Sequence, residues 1–411
     1  MLRIALYTHH ALFEPALSLV DALAPHAEVH LLLEVPPREW RTASFEAAPG
    51  PVPTGLVDAD PLLSPFYPAP VRAMWRKAAS FHLVSHGERR SRDPRSLRVT
   101  LQVLRWLRRL RPDVLHVDDV DVSPRLALGL ALTSPPYPVL LGCHDPEPHS
   151  GERRWAMKRL TRALAFPAAA AVLVHHRSGK EALLRRHPRL RLPVHVVRLA
   201  AYTFIRGLEP NHEQPVDAAP TVLLFGRITP YKGLEDLFRV APSVAVEVPG
   251  VRFVVAGRPV AGYTPPAPPE VGPGATVECR YDYIPNTEIG KLFRGASVTV
   301  CPYTDASQSG VVLTAFAFGC PVVVTDVGGL AEYVEHGRTG LVVAPGDHEE
   351  LAAVLVRCLR DHDLAARMRA GVAAATAGDL GWARAAAEMV TVYHAVLDDA
   401  RGRRVRRARN R

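Results

Sequence analysis

The sequence predicts two doubly wound α/β domains, each a parallel sheet wrapped by helices, facing one another across a cleft. Three observations lead there. Short apolar, β-branched runs alternate with helical patterns along almost the whole chain. That alternation breaks once, in the polar, proline-rich stretch 206–220 (RGLEPNHEQPVDAAP), and then restarts. A length of 411 residues is also more than one hydrophobic core comfortably serves.

The domain plan follows from that break. Residues 1–205 form a first domain, 206–220 a linker and 221–380 a second domain. A C-terminal helix over residues 381–400 is expected to pack back towards the first domain, ahead of a basic tail at 401–411. In the first domain, Ile4–Thr8 is a strand, Pro15–Leu23 a helix and Val29–Val35 a strand. The turn after the first strand reads Thr8-His9-His10 and lacks the glycine fingerprint of a nicotinamide dinucleotide site. Residues 36–70 are proline-studded and read as irregular. Helical patterns follow at Val71–His86 and Ser96–Leu110, the second with Leu97, Leu101, Leu104 and Leu107 on one side. Strands at Asp113–Val117, Pro138–Gly142, Ala170–Val174 and Val194–Arg198 then alternate with helices at Arg125–Leu132, Arg153–Leu164 and Gly179–His187.

The second domain restarts at strand Val222–Phe225, followed by helix Leu234–Val240, strands Val251–Ala256 and Val277–Cys279, and helix Asn286–Arg294. Strand Val298–Pro302, helix Val311–Phe318 and strand Val322–Thr325 come next, then helices over 347–377. Gly381–Leu397 is the last amphipathic helix.

Composition narrows the function classes. Hydrophobic residues make up 48% and charged residues 22%, which is globular. No apolar run reaches the ~20 residues that span a bilayer, and the N-terminal MLRIALYTHH reads as a first buried strand rather than a leader. The five cysteines are scattered without a C-x-x-C pair, which suits buried free thiols in a reducing, cytoplasmic setting. Charge is uneven: residues 1–205 hold 28 Lys/Arg against 18 Asp/Glu, whereas 206–400 hold 15 against 23. The tail RGRRVRRARNR adds seven arginines. A basic first half and tail suit an anionic partner, either an acidic membrane surface or a phosphorylated acceptor. No nucleic-acid module accompanies the arginines, so nucleic acid is not expected.

The chemistry concentrates after two strands of the second domain. Val298–Pro302 leads through a loop to Ser309-Gly310-Val311, where a helix begins. The unpaired amides of a helix N-terminus, with little side chain in the way, favour a phosphate. After the strand ending at Phe225 comes Gly226-Arg227, and Lys232-Gly233 follows shortly. A planar guanidinium and a compact ammonium beside a helix N-terminus make a trap for a diphosphate. In the first domain the strand ends open into Asp118-Asp119-Val120-Asp121 and Cys143-His144-Asp145. The D-x-D there is like the metal-binding pair of one class of sugar transferases, but no further ligand accompanies it and a strand-end loop is the simpler account.

The run Phe225-Gly226-Arg227-Ile228-Thr229-Pro230-Tyr231-Lys232-Gly233 resembles the donor-diphosphate motif of family 4 glycosyltransferases with the GT-B fold. The resemblance continues through Tyr281–Pro285, Asp305–Gly310, Gly319–Val323, Asp326–Leu330 with Glu332, and Gly337–Gly340. It is looser in the first domain, through Arg111–His116 and His144-Asp145. It implies a nucleotide-sugar donor held by the second domain, an acceptor on the first, transfer with retention at the anomeric carbon, and neither metal nor cofactor. Arg227 and Lys232 would neutralise the leaving diphosphate beside Gly226, and the amides of Gly310 and Val311 after Ser309 would bind its oxygens. Backbone at Tyr283 and Ile284 would hold the base, and His144 would contact the transferred sugar. His9, His10 and Asp119 are the acceptor-side candidates.

One departure matters. The family's two glutamates, eight positions apart, correspond here to Ser307 and Ala315, a degenerate E-x7-E motif. Ser307 can still hydrogen-bond a sugar hydroxyl, whereas Ala315 cannot bind a ribose diol. The expected activity is therefore glycosyl transfer to a lipid-linked or polysaccharide precursor, or to a small molecule, at the inner face of the membrane or free in the cytoplasm. A non-catalytic nucleotide-sugar-binding protein and a nucleotide-sugar epimerase on the same architecture are the alternatives.

Overall fold

The computed structural model describes residues 1–35, 52–87, 96–147, 155–208 and 219–409, with side chains followed as far as Gly402 and Val122 excepted. Most of the 206–220 linker, Arg153, and the tail side chains beyond Gly402 lie outside the described residues. The chain divides into two compact units, Met1–Leu199 together with Trp382–Arg411, and Ala200–Gly381.

The first unit runs β1 (Leu2–His9), α1 (Phe13–Leu23), β2 (Ala27–Val35), β3 (Gly55–Asp58), α2 (Asp60–Leu63), α3 (Ala69–Trp75), β4 (Ser80–Ser85) and α4 (Leu97–Leu110). It continues with β5 (Val114–Val117), α5 (Pro124–Thr133), β6 (Val139–Gly142), α6 (Trp155–Ala165), β7 (Ala171–Val174), α7 (Arg177–Arg186) and β8 (Val194–Val196). Its eight strands lie in the order β3-β4-β2-β1-β5-β6-β7-β8, all parallel except the edge pair β3–β4. The central strands are buried on both faces, so Val114–Val117 and Val139–Gly142 read as continuous apolar runs instead of alternating ones. The order reverses between β1 and β5, which opens a crevice beyond their carboxyl ends.

The second unit runs β9 (Thr221–Phe225), α8 (Leu234–Glu247), β10 (Arg252–Ala256), β11 (Thr276–Arg280), α9 (Asn286–Gly295) and β12 (Val298–Cys301). Then come α10 (Gly310–Ala317), β13 (Val322–Thr325), β14 (Gly340–Val343), α11 (His348–Arg360) and α12 (His362–Ala377). Its six parallel strands are ordered β11-β10-β9-β12-β13-β14, and the reversal falls between β9 and β12. Val222, Leu224, Val298, Val300 and Val323 meet Leu234, Leu237 and Phe238 of α8 in one core. The last helix, α13 (Trp382–Arg409), belongs to the first unit and packs on α1.

Three expectations need correction. The helical pattern over Val71–His86 splits: α3 stops at Trp75, and Ser80–Ser85 is a strand beside β2. Phe81, Leu83 and Val84 are buried there, because the half-polar SFHLVS gains a ladder of parallel hydrogen bonds that the local pattern does not announce. The stretch 36–70 is not uniformly irregular, since β3 and α2 fall within its described part. The buried face of α4 is Val99, Thr100, Val103, Leu104 and Leu107, while Leu97 and Leu101 are exposed. β-Branched Val99 and Val103 rotate the apolar stripe by about one position. Arg111, at φ 51 before Pro112, ends that helix and turns the chain into β5.

Candidate functional site

In the second unit the site forms where the strand order reverses. Gly226 follows β9 at φ 96, a conformation that favours glycine, and its N–H donates to the Ala256 carbonyl at 2.9 Å. A Cβ there would stand 2.8 Å from Lys232 Nζ and 3.1 Å from Val311 Cγ2. Gly226, Lys232 and the first turn of α10 therefore converge on one point. Lys232 closes a short 3-10 turn, Pro230–Lys232, and Gly233 follows at φ 68. A Cβ on Gly233 would sit 1.9 Å from the Pro302 carbonyl oxygen, so close packing of this turn on the β12 loop also demands glycine.

Lys232 is buried at 7% exposure, donates to the Phe225 carbonyl at 3.3 Å, and holds its ammonium 5.4 Å from the Tyr303 ring centroid. Burial, aided by repulsion from Arg227, lowers its pKa from 10.5 to about 8. Arg227 itself is exposed. A buried cation with a weakened hold on its proton, beside an exposed one, is an arrangement that an arriving anion completes.

Opposite them, α10 starts at Gly310 with Ser309 as N-cap. Ser309 makes no side-chain cap bond, and no acidic residue occupies the first turn. The first amides of α10 thus keep their affinity for an anion. The loop before it is pinned from behind. Gly329 N–H donates to Ser307 O at 3.1 Å, and Gly328, at φ 51, lies so close to Ala306 O that a Cβ would overlap it at 1.6 Å. Ala315 is fully buried within α10, so no side chain at that position reaches a ligand without repacking. After β11, Ile284 is buried and Tyr283 is 39% exposed.

In the first unit the strand ends hold a histidine cluster. His144 follows β6, where Gly142 passes so close to the Asp118 carbonyl that a Cβ would lie 1.8 Å from it. His144 Nε2 is 3.5 Å from Asp118 Oδ1 and 3.2 Å from His175 Nε2. Thr8 Oγ1 donates to Asp118 Oδ2 at 2.8 Å, and His175 Nδ1 lies 3.0 Å from the Val197 carbonyl. Burial works against the His144 imidazolium, but Asp118 overrides it and raises the pKa to about 9. Burial and the neighbouring His144 lower His175 to about 3. Asp118 is held well below the usual carboxylate range: burial opposes its charge, and hydrogen bonding and attraction from His144 more than offset that.

His9 Nε2 lies 3.6 Å from Asp119 Oδ2, so two of the three acceptor-side candidates meet. His10 opens the 3-10 turn that follows β1, half-buried, and its pKa is lowered to about 4 chiefly by burial. Asp121 has a structural partner: Arg162 forms a buried two-pronged pair with it at 2.6 and 2.8 Å. That pairing removes the second carboxylate of the D-x-D from ligand chemistry. The sequence reading missed Asp118 and His175, which no short-range spacing links to His144. It also missed half-buried Glu34, which accepts from Tyr7 Oη at 2.6 Å and pairs with His86 at 3.2 Å.

Residues 219–361 match the model of the family described as Glycosyl transferases group 1. Sucrose-phosphate synthase from Thermosynechococcus elongatus superposes with a TM-score of 0.66 at 17% identity, covering 97% of this chain and 100% of that one. The second unit is therefore similar to the glycosyl transferases group 1 family over residues 219–361, and the fold of the chain is GT-B. HepE of Anabaena, solved in complex with UDP, is a further GT-B neighbour, with a TM-score of 0.64 at 15% identity over 96% of this chain and all of that one. By sequence, D-inositol 3-phosphate glycosyltransferase of Pseudarthrobacter chlorophenolicus is 32% identical over 261 residues, 61% of each chain. The chain thus spans about three fifths of that relative's length, and 45% of the length of another from Thermobispora bispora. The group 1 match contains Gly226, Lys232 and the whole of α10, the three parts that converge. No helix among the described residues is long and apolar enough to cross a membrane.

Proposed function

We propose that this protein is a retaining glycosyltransferase that moves a sugar from a nucleotide-sugar to a phosphate-bearing small acceptor, with no metal at the diphosphate and no cofactor. The convergence of Gly226, Lys232 and the α10 N-terminus carries the reading. As the bond from the anomeric carbon to the diphosphate breaks, negative charge grows on the leaving oxygens. Lys232, Arg227 and the amides of Gly310 and Val311 meet that charge with groups already in place, so stabilisation grows towards the transition state. Ser309, Ser307 and Gly226 shape the pocket, and the Tyr283–Ile284 backbone takes the base.

On the first unit, His144 donates to the transferred sugar, held in its charged form by Asp118. His9, His10 and Asp119 line the acceptor side. The basic first half favours an acceptor bearing phosphate. The printed names of D-inositol 3-phosphate glycosyltransferase and sucrose-phosphate synthase point the same way. A lipid-linked acceptor at an anionic membrane surface is the other member of that chemical class.

The buried Ala315 favours a second reading, a protein that binds the nucleotide-sugar without transferring it, because the ribose contact of the family motif is missing. Incubation with a panel of UDP-, GDP- and TDP-sugars and phosphorylated polyols, followed by mass analysis, separates the two. An acceptor adduct that disappears in Arg227→Ala and Lys232→Ala supports transfer. Donor binding with no adduct for any acceptor supports the second reading, and an isomerised donor supports an epimerase.

A further inference from the structure

We propose that the second unit carries a site for a small organic polyphosphate, a diphosphate or a bisphosphorylated sugar, at the end of α10 away from the donor diphosphate. A cavity of about 950 Å³ opens there, within the range of small-molecule sites (about 300–1,000 Å³). Every residue lining it falls in Ala200–Gly381, so the cavity belongs to one unit. Its walls come from the residues leading into β12 and β13 and from the last turns of α9, α10 and α12. The diphosphate groups follow the opposite, carboxyl ends of β9 and β12. The length of α10 separates the two places, about 12 Å along the helix axis.

Three guanidiniums, those of Arg206, Arg294 and Arg369, line this cavity, and among the described residues no carboxylate does. Part of their charge answers the carbonyl ends of the three helices: Arg369 Nη2 donates to Ala296 O at 3.0 Å, just past α9. The magnitudes leave a surplus. A helix C-terminus carries about −0.5 of a charge, so three of them offset at most about half of the three positive charges. The cavity is therefore net positive and draws in anions. Planar guanidinium forks match phosphoryl oxygens two at a time, which makes phosphate the fitting anion.

The cations are held by packed elements. Arg294 lies over the Phe318 ring, with Cζ 5.5 Å from its centroid, and Phe318 stacks on fully buried Phe293. Arg369 is anchored through Nη2 alone, which fixes the fork at the wall and leaves its other nitrogens for a ligand. Arg206 stands on the 3-10 turn Thr203–Leu208, which buried Phe204 and Ile205 hold in place. Side chains set in advance lower the ordering cost of binding. Backbone packing also leaves the space open, since a Cβ on Gly295 or Gly319 would meet nothing within 4 Å. Ala317, Ala373 and Ala377 add only methyl groups to the wall, which leaves depth for a sugar or polyol body.

The charge selects the ligand. A single carboxylate leaves guanidiniums unmatched, whereas a diphosphate or a bisphosphorylated sugar brings oxygens enough for all three. An acidic peptide spreads its charges along a chain, while this cavity gathers three cations around one space, which favours the small molecule. The binding claim stands without the transferase reading, since it concerns only this cavity.

The test titrates the full chain, with excess UDP present to fill the donor site, against fructose 1,6-bisphosphate and against inorganic pyrophosphate by calorimetry. One equivalent of either probe should bind, and Arg206→Gln, Arg294→Gln and Arg369→Gln should each weaken that binding by about 10-fold or more. Arg239→Gln, which changes an exposed arginine of α8 outside the cavity, should leave it unchanged. Lys232→Met should weaken UDP and spare the bisphosphate, so failure of this site and failure of the donor site read out separately. Should an arginine variant fail to fold, two readouts remain. Gly295→Glu, which sets a carboxylate on the open wall, should weaken binding, and the bisphosphate should protect Arg206, Arg294 and Arg369 of the wild type from phenylglyoxal. Phosphatidate vesicles that displace the bisphosphate would assign the phosphate to a lipid headgroup, and vesicles without effect would assign it to a free metabolite. Absence of binding by both probes, undiminished binding by all three arginine variants, or labelling indifferent to the bisphosphate would overturn the site and leave the arginines as partners of the helix ends alone.

Discussion

Lys232 provides the sharpest test of the donor site, through the pH dependence of nucleoside diphosphate binding. Its pKa of about 8 in the free protein comes from burial and from Arg227. That depression corresponds to about 3 kcal/mol against the charged form. A bound diphosphate beside the ammonium reverses the penalty and returns the pKa towards or above its ordinary value. The sign follows: free Lys232 loses its proton as pH rises through about 8, while the bound form keeps it, so binding takes up a proton and weakens with rising pH. With a bound pKa at least about two higher, affinity falls about fourfold between about pH 7 and about pH 8.5, and uptake near pH 8 is about half a proton per site. The folded state moves the other way. From about pH 8 to 10.5 the unfolded lysine binds more protons than the folded one, so this group adds stability as pH rises and unfolding does not mimic the loss of affinity. Calorimetry with UDP in two buffers of different ionisation enthalpy reads the uptake directly. Lys232→Met should abolish it and bind UDP more weakly at neutral pH. No uptake by the wild type, or equal uptake by the variant, would refute the placement of Lys232 at the diphosphate.

Three further outcomes follow from the packing. Gly233→Ala should destabilise the protein by at least about 1–3 kcal/mol, read as a lower denaturation midpoint, because φ 68 and the Pro302 carbonyl leave no room for a methyl. A midpoint within error of the wild type would contradict that geometry. Arg162→Met should cost about 3–5 kcal/mol by leaving Asp121 buried and unpaired, and the added change Asp121→Leu should recover much of it; a double variant as unstable as the sum of the singles would exclude a pair. Ala315→Glu, which puts a carboxylate at the position proposed to lack the ribose contact, should lower stability and leave UDP affinity no better, since the position is fully buried. Tighter UDP binding by a variant of normal stability would show instead that the position opens onto the ribose.

Much of this was legible in the sequence where local chemistry and tertiary structure agree. The β9 strand, Gly226 and Lys232 lie within one short segment, and a helix beginning at Ser309-Gly310 after a β-branched strand announces an anion site. The strands flanking the reversals are apolar on both faces and stand out as continuous runs. What was missed depends on distant partners. Ser80–Ser85 becomes a strand only because β2 and β3 flank it, and Leu97 and Leu101 lie outside a core whose direction is set by β-branched neighbours. Asp121 is a structural carboxylate because Arg162, on α6, reaches it. Asp118 and His175 join His144 only once β5, β6 and β7 lie side by side, and no spacing within the chain encodes that.

Group transfer itself is tested most directly by following donor and acceptor together by mass in a single incubation of the full chain with a nucleotide-sugar and an inositol phosphate or hexose phosphate acceptor. One acceptor adduct, heavier by one sugar unit, should form for each nucleoside diphosphate released, with both products lost in Arg227→Ala and Lys232→Ala. Tight donor binding with no adduct across the acceptor panel, or an adduct formed equally well by those two variants, would contradict it.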